Sequence, residues 1–587
     1  MPDVKPAPPV RSLETATVDQ LSKNEHLKVE SEGLFWVAGP EKHTFRSEID
    51  AMARGEAETI GNEAKELSKF FGIYKQQERS AGGKRDGDHI FMVRLKNPGG
   101  GDLSATQWRA IDDVADRFCD GTLRFTSRQG IQLHYVRGKS LGHLVRHLNR
   151  GYRPQATLGA CGDVNRNVMC CPVDGLDRDL SFGAHELAHA IAEELAPRSS
   201  AYFQIFQTDD EGKTLVPLNS DEPIYGKHYL PRKFKIGIAP AGDNCVDILT
   251  NDVALVPIVN GGRGASYDLW SGGGLGFTHN VAGTTAHLAL HLGRIGRDQV
   301  VDACRAIVTL QKEKGERKDR RMARWKYTIR RLGRENVIAE LRDRFGIRLE
   351  ETAPQPLGPL SLHLEWRPQV GDGLFYRGIS VENGRLRDTP EVRTRAAVRR
   401  LVDELGLTVR ITPQQDLLLC NVPEKRRGDV DRLLAEHGVP VPGSVPSARR
   451  LSMACPAKPT CGLAMTEAER VLPSYLDTAE AAGLGEVDVV IRMTGCPNGC
   501  ARPSTAEIGI VGYGKNDHMI QVGGSRQGTR IGRILYPRVP EEDIRAVLVG
   551  LLRAIREHAN GRPAGDFLHE TPDGQLRTWV GWSEAQR

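Results

Sequence analysis

No stretch of about 18 apolar residues occurs anywhere in this 587-residue chain, which excludes a hydrophobic membrane-spanning helix. The opening MPDVKPAPPVRSLE lacks the basic-then-apolar order of an export signal; it reads as a flexible arm and points to the cytoplasm. Charge of one sign is also scarce: the net value is only +5, too little to argue for nucleic acid. The glycine-rich WSGGGLGFTHN (270–280) has neither the phosphate-loop nor the dinucleotide spacing, so no nucleotide fingerprint is present. What remains is ordinary for a soluble globular protein, at 39% hydrophobic and 26% charged residues, and long enough for several domains. Eleven cysteines are an odd set for disulfides, and in a reducing compartment clustered thiols signal metal or catalysis instead.

A repeat organises the chain. Segments 90–136 and 374–422 each read as strand, Gly-bearing turn, amphipathic helix and strand. Within them LRFTSRQGIQLHYV aligns without a gap to VRITPQQDLLLCNV, which predicts two fused copies of one half, each followed by a longer α/β stretch. Alternate residues of a strand share a face, so Arg124, Thr126, Arg128, Gln132 and His134 line one side of the first copy. The second copy keeps Arg410 opposite Arg124, but replaces Arg128 by Gln414, Gln132 by Leu418 and His134 by Cys420. A large anionic ligand is therefore expected against the first copy only, since Arg, Gln and His in one row suit carboxylates.

Further cations fall at strand spacing. PRKFKIGIAP puts Lys233 and Lys235 opposite Phe234, Ile236 and Ile238, and FMVRLK puts Arg94 and Lys96 together. ACGDVNRNV adds Arg166 in a loop of Gly, Asp and Asn, and the amides of 270–280 can approach an anion closely. The basic run KEKGERKDRRMARWKYTIRR (312–331) reads on its own as a solvated helix face.

Four cysteines form two pairs: Cys455 and Cys461 in SMACPAKPTCGLAM, Cys496 and Cys500 in IRMTGCPNGCARP (491–503). Four thiolates on two short loops suit zinc or an iron–sulfur cluster; the wide spacing of the first pair and the two Cys-Pro steps lean toward the bulkier cluster. A thioredoxin-type dithiol needs two intervening residues, which neither pair has.

These motifs, with RFTSRQGIQLH, DVNRNV, LPRKFK, GGGLGFTHN and RMARWKYT, resemble the sirohaem-dependent sulfite and nitrite reductases over residues 65–570, and the sulfite-reducing haemoproteins most. The resemblance implies an α+β and α/β architecture duplicated about a pseudo-twofold. Its parts would be an arm (1–60), a first parachute-like repeat (61–150), a sirohaem and substrate domain (151–350), a second repeat (351–440) and a cluster and sirohaem domain (441–587). It implies sirohaem and a [4Fe–4S] cluster, with Cys455, Cys461, Cys496 and Cys500 as cluster ligands and Cys500 also bridging to the haem iron. It implies Arg94, Arg166, Lys233 and Lys235 on the substrate side, and Arg124, Arg128, Gln132, His134 and Lys326 on the sirohaem carboxylates. The expected reaction is the six-electron reduction of sulfite to sulfide, with nitrite to ammonia as the alternative within the family. A zinc-bearing structural module is the reading from another class, and a colourless zinc protein would mark it.

No flavin or nicotinamide module is visible, so electrons are expected from a separate protein: a ferredoxin first, a flavoprotein reductase subunit second. Cys119, Cys245, Cys304 and Cys420 have no partner spacing and are expected in the core. GACGDVN resembles MACPA, which predicts Cys161 at the mirror position of Cys455. Tyr74, in FFGIYKQQER, is expected beside Cys161 and is a candidate for a thioether link to it.

Overall fold

The computed structural model describes residues 45–79, 84–198, 202, 205, 222–226, 228–259 and 264–583, so the first 44 residues of the expected arm lie outside the described ones. From Phe45 onward the chain is core rather than arm. Helix α1 (Phe45–Ala53) buries Phe45, Ile49 and Met52, which recur at helical spacing. It packs on Gly138 and Gly142, where an added Cβ would lie 2.9 Å from Met52 Sδ and 2.8 Å from an Ile49 methyl.

The first half-domain runs β1 (Ile73–Arg79), β2 (Arg85–Leu95), helix α2 (Ala105–Phe118), β3 (Leu123–Phe125), β4 (Ile131–Val136) and helix α3 (Gly138–Gly151). A reciprocal capping box starts α2: Gln107 N donates to Ser104 Oγ (3.3 Å) and Ser104 N to Gln107 Oε1 (3.0 Å). The first lobe follows with β5 (Met169–Cys170), β6 (Ile236–Ile238), β7 (Val253–Ile258), β8 (Ser266–Ser271) and β9 (Leu290–Gly296), then helix α4 (Trp325–Leu332). Residues 351–366, expected to open the second repeat, carry no regular element; its strands begin only at β10 (Arg367–Pro368). Then come β11 (Leu374–Ile379), β12 (Arg385–Leu386), helix α5 (Thr394–Leu405), β13 (Thr408–Ile411) and β14 (Leu417–Pro423). The second lobe contributes β15 (Met453–Ala454), β16 (Ile491–Thr494), β17 (Ile508–Gly512), β18 (Asp517–Val522) and β19 (Arg533–Pro540).

The duplication holds in detail. Both lobes are five-stranded in the same order, β5-β6-β7-β8-β9 and β15-β16-β17-β18-β19, with two parallel and then two antiparallel pairings. The half-domain sheets β1-β2-β4-β3 and β10-β11-β14-β13 match likewise, and the two interlock. Strand β12 of the second half adds to the first sheet through Leu386 opposite Leu123, while Leu103 of the first half bridges Val409 of the second. Each copy thus finishes the other's sheet edge, which leaves neither exposed there. No helix among the described residues is long and apolar enough to cross a membrane.

Candidate functional site

The two hairpins differ chemically but turn alike. Thr126 Oγ1 accepts from the N–H groups of Arg128 (3.3 Å) and Gly130 (3.0 Å); Thr412 Oγ1 accepts from those of Gln414 (3.2 Å) and Asp416 (3.1 Å). Gln129 and Gln415 hold the same left-handed position, with φ of 57° and 72°. The turn of the first copy projects Arg128 into a cavity of about 700 Å³, at the larger end of ligand sites.

That cavity gathers most of the predicted residues: Tyr74, Arg94, Arg124, Arg128, Gln132, His134, Arg166, Lys233, Lys235, Cys455, Cys461, Cys496 and Cys500 all line it. The cysteines come from turns after β15 and β16. Cys455 leaves β15 with its N–H on Met493 O (3.1 Å), and its Sγ accepts from Gly495 N (3.4 Å). An added Cβ at Gly495 would fall 2.7 Å from that of Ala457, so only glycine lets the two cysteine loops approach this closely. Asn498 donates to Cys496 Sγ (3.5 Å), while Cys500 is exposed to the cavity. Burial, then the neighbouring Cys500 and Cys496 sulfurs, push the Cys455 thiol well up; burial and Cys500 hold Cys496 near 12. Four sulfurs that repel one another as thiolates suit a shared cationic centre.

The cavity lining is also cationic. Burial holds Lys233 and Lys235 far below the usual ammonium range, reinforced by Arg232 and Arg166 for the first and by Arg128 and Arg324 for the second. An anion placed among them would offset that repulsion and restore the protons. Arg94 Nη1 donates to Cys161 Sγ (3.1 Å) and Arg166 to Gly162 O (3.1 Å), while Arg94 Nε and Arg128 Nε meet no hydrogen-bond partner among the described residues. Tyr74 stands beside Cys161; burial and that neighbour push its hydroxyl up to about 12.

Three expectations need correction, and that for Arg124, which does line the cavity, needs refining. Lys326 does not line the cavity: it is buried on α4, and its Nζ donates to the carbonyls of Gly274 (3.0 Å), Gly276 (2.6 Å) and Thr285, bracing the glycine-rich loop whose Leu275 and Gly276 do reach the cavity. Arg124 is already committed, with Nε on Glu469 (3.2 Å), Nη2 on Ala454 O (2.7 Å) and Nη1 on Phe125 O, so it ties the hairpin to the second lobe. Cys161 is not the mirror of Cys455. Cys171 is: it follows β5 as Cys455 follows β15, and its N–H meets Ile238 O at 3.1 Å. Cys245, expected to be plain core, stands beside Cys171, Asp243 and His363, all four ligand atoms lying within 4.8 Å of one another. Cys304 and Cys420 are buried as expected, and Cys119 is partly so.

Sequence reasoning missed Lys65, Lys69 and Lys75 at the cavity: Lys65 and Lys69 precede FFGIYKQQER, and within that segment only Tyr74 was singled out, although Lys75 is its neighbour. It also missed Arg232, which stood in plain view beside Lys233, and Arg385, which donates to Glu469 (2.8 Å) and lies 3.0 Å from His134 Nδ1. Burial and the charges of Arg385 and Arg124 hold His134 well below the usual imidazole range.

Two family models match this chain: the nitrite and sulphite reductase 4Fe-4S domain at residues 161–349, and the nitrite/sulfite reductase ferredoxin-like half domain twice, at 83–151 and 367–437. Among curated relatives, the sulfite reductase [NADPH] hemoprotein beta-component of Staphylococcus saprophyticus is 34% identical over 95% of this chain and 98% of its own length. That of Geobacillus kaustophilus is 37% identical over 87% and 90%. Among solved structures, the NirA protein of Mycobacterium tuberculosis superposes with a TM-score of 0.72 at 22% identity, covering 93% of this chain and 100% of that one, and so shares the fold.

Proposed function

Because the chain belongs to the nitrite and sulfite reductase family, whose cofactors are sirohaem and a [4Fe–4S] cluster, we propose that it catalyses the six-electron reduction of sulfite to sulfide in the 700 Å³ cavity. The observation that carries this reading is the meeting of four thiols and a wall of Arg and Lys on one cavity. The cavity fits such a pair of groups: its lining holds four sulfurs together with the guanidinium groups of Arg94 and Arg128, whose Nε atoms meet no partner among the described residues.

Cys455, Cys461, Cys496 and Cys500 are proposed to hold the cluster, with Cys500, the one exposed to the cavity, shared with the haem iron. Arg128, Gln132 and His134 are proposed to face the sirohaem carboxylates; Arg124 and Lys326 act on the site by positioning the hairpin and the glycine-rich loop. When bound, the joined cofactors supply the electrons, which no ordinary side chain can. Arg94, Arg166, Lys233 and Lys235 bind the oxyanion and offset its charge. Each oxygen leaves as water, so protons must arrive with the electrons; the two lysines, easily deprotonated here, are suited to pass them on. Tyr74 and Cys161 brace the wall beside Arg94. A thioether link between them would remove two hydrogens and need an oxidant, so they are proposed as a hydrogen-bonded pair; a joined peptide lighter by two hydrogens in mass mapping would replace that reading.

The relatives' names carry NADPH and a beta-component, which favours a separate flavoprotein as the donor over the ferredoxin expected from the sequence. Steady-state reduction of sulfite and nitrite in parallel, with a neutral artificial donor, tests the substrate. A kcat/KM for sulfite above that for nitrite supports the proposal, and the reverse order overturns it. NADPH-driven turnover on adding a flavoprotein reductase, against none with reduced ferredoxin, tests the donor.

A further inference from the structure

The first lobe carries the remains of the site that the second lobe uses. Gly237 pairs Ala254 as Arg492 pairs Gly509, so from β6 to β7 every position lies 255 residues before its counterpart. The backbone confirms the register: Asp247 and Arg502 are both left-handed, with φ of 51° and 60°, and each precedes a short 3₁₀ turn. Cys245 therefore stands where Cys500 stands, Asp243 where Asn498 stands, and Ala241 where Cys496 stands. Together with Cys171 at the place of Cys455, two thiols of the site survive in the first lobe.

Two other ligand types have joined them. Asp243 Oδ2 lies 3.5 Å from Cys171 Sγ and at an ion-pair distance of 2.8 Å from His363 Nε2. In a tetrahedral zinc site, with bonds of about 2.3 Å to sulfur and about 2.0–2.2 Å to oxygen, those two ligand atoms sit about 3.5 Å apart. The ligands are also oriented from behind. Ser361 N donates to Asp243 Oδ1 (2.9 Å), leaving Oδ2 for the cluster, and Ser361 Oγ lies 3.5 Å from His363 Nδ1. His363 itself has φ of 56°, a costly left-handed position for a side chain of its size, which turns it back onto the loop. A second cavity of about 670 Å³, lined by Asp243 and His363, gives an ion a route in.

We propose that Cys171, Asp243, Cys245 and His363 bind one zinc-class divalent ion, at the pseudo-twofold counterpart of the cysteine site in the second lobe. Two thiolates, an imidazole and a carboxylate form a closed four-ligand set of the structural type, and the two thiols would release their protons on binding. Two sulfurs, one imidazole and one carboxylate match neither the four-thiolate set of the common iron–sulfur clusters nor the two-cysteine, two-histidine set of a Rieske centre. The ion would clamp the extended segment 351–366 to the loop after β6. That loop carries Val246 onto the main cavity wall, and Asp247 into its pairs with Arg492 and Arg502 (3.2 Å).

The test uses the full-length holoenzyme, purified reduced, loaded with zinc chloride and washed with a chelator. Elemental analysis should find one zinc per chain beside the iron, and zinc-edge absorption spectroscopy two sulfurs at about 2.3 Å with two lighter ligands at about 2.0–2.2 Å. Cys171→Ser, Cys245→Ser and His363→Ala should each lower zinc retention at least tenfold while iron content and the visible spectrum per chain stay unchanged. His363→Ala, on the extended segment, keeps the test open if a cysteine variant fails to fold. No zinc retained by the loaded wild-type chain, equal retention in Cys171→Ser and His363→Ala, or a Cys171–Cys245 disulfide in the reduced enzyme would overturn the proposal.

Discussion

The two hairpins, 123–136 and 409–422, share a backbone and divide the labour. Arg124 of the first reaches across to Ala454 and Glu469 of the second lobe; its counterpart Arg410 reaches Pro172 O (2.8 Å), Asp174 O (3.0 Å) and Asp102 on the side of the first lobe. That exchange is structural and both copies keep it. Four residues away they part: Arg128 faces the main cavity and contacts Asn251 (2.8 Å) and Asn167 O (2.6 Å), whereas Gln414 donates to Cys245 O (2.6 Å). Duplication preserved the interlock between halves, while ligand chemistry concentrated on one side of the pseudo-twofold. The cysteines followed the opposite partition, four in the second lobe and two at the matching positions of the first.

The most severe way to break this asymmetry is Cys500→Ser. It removes the thiol exposed to the cavity and proposed to be shared by both cofactors, so it should abolish turnover, empty the cluster of iron and disturb the visible spectrum of bound sirohaem. Normal iron content with full activity would end the shared-ligand assignment. Next come Lys233→Met and Lys235→Met, which keep the aliphatic stem and delete the charge. One lost donor to a developing charge costs about 10²–10³ in rate, so each should turn over slowly with normal cofactor content and release partly reduced products. Unchanged kcat in both single variants would remove them from the machinery.

Arg128→Gln sharpens the comparison by writing the second copy's residue into the first. A hydrogen bond to a charged group is worth about 1.5–3 kcal/mol, so cofactor affinity should fall about ten- to a hundredfold while the fold survives. Sirohaem content after dialysis, against unchanged circular dichroism, checks it; full retention would mean that Arg128 serves the Asn167 loop alone.

The sequence made the repeat, the strand faces and the four-cysteine set readable because each depends on local spacing. Lys233 and Lys235 alternate with Phe234 and Ile236, and that pattern alone aimed them at a cavity. What was not legible depends on distant partners. Nothing in RMARWKYT says that Lys326 will be consumed by three carbonyls some 40–50 residues back, or that Glu469 will occupy Arg124. Cys161 was mistaken for the mirror of Cys455 because a two-letter likeness stood in for strand register. Met169–Cys170, a strand of two residues, is too short to show periodicity, yet its pairing with β6 is what sets Cys171 in place.

The smallest effect on turnover lies where the hairpins differ by Gly130 against Asp416. Asp416 is buried away from the main cavity, and its Oδ1 accepts from Val381 N at 2.7 Å. Burial pushes its carboxyl from an ordinary 3.8 up to about 8, only partly opposed by that hydrogen bond. Between those values the folded chain holds a proton that the unfolded chain has released. By linkage its contribution to stability is therefore full below about pH 4 and declines as pH rises toward 8, by at most about 1.4 kcal/mol per pH unit. Asp416→Asn keeps an oxygen for Val381 N and has no proton to lose. Urea unfolding of wild type and variant at several pH values should show the variant gaining relative stability from pH 5 to 8, with turnover unaltered because no ligand group is touched. Parallel pH profiles for the two proteins would mean that Asp416 stays ionised in the fold, and that the second hairpin tolerates a charge where the first has glycine.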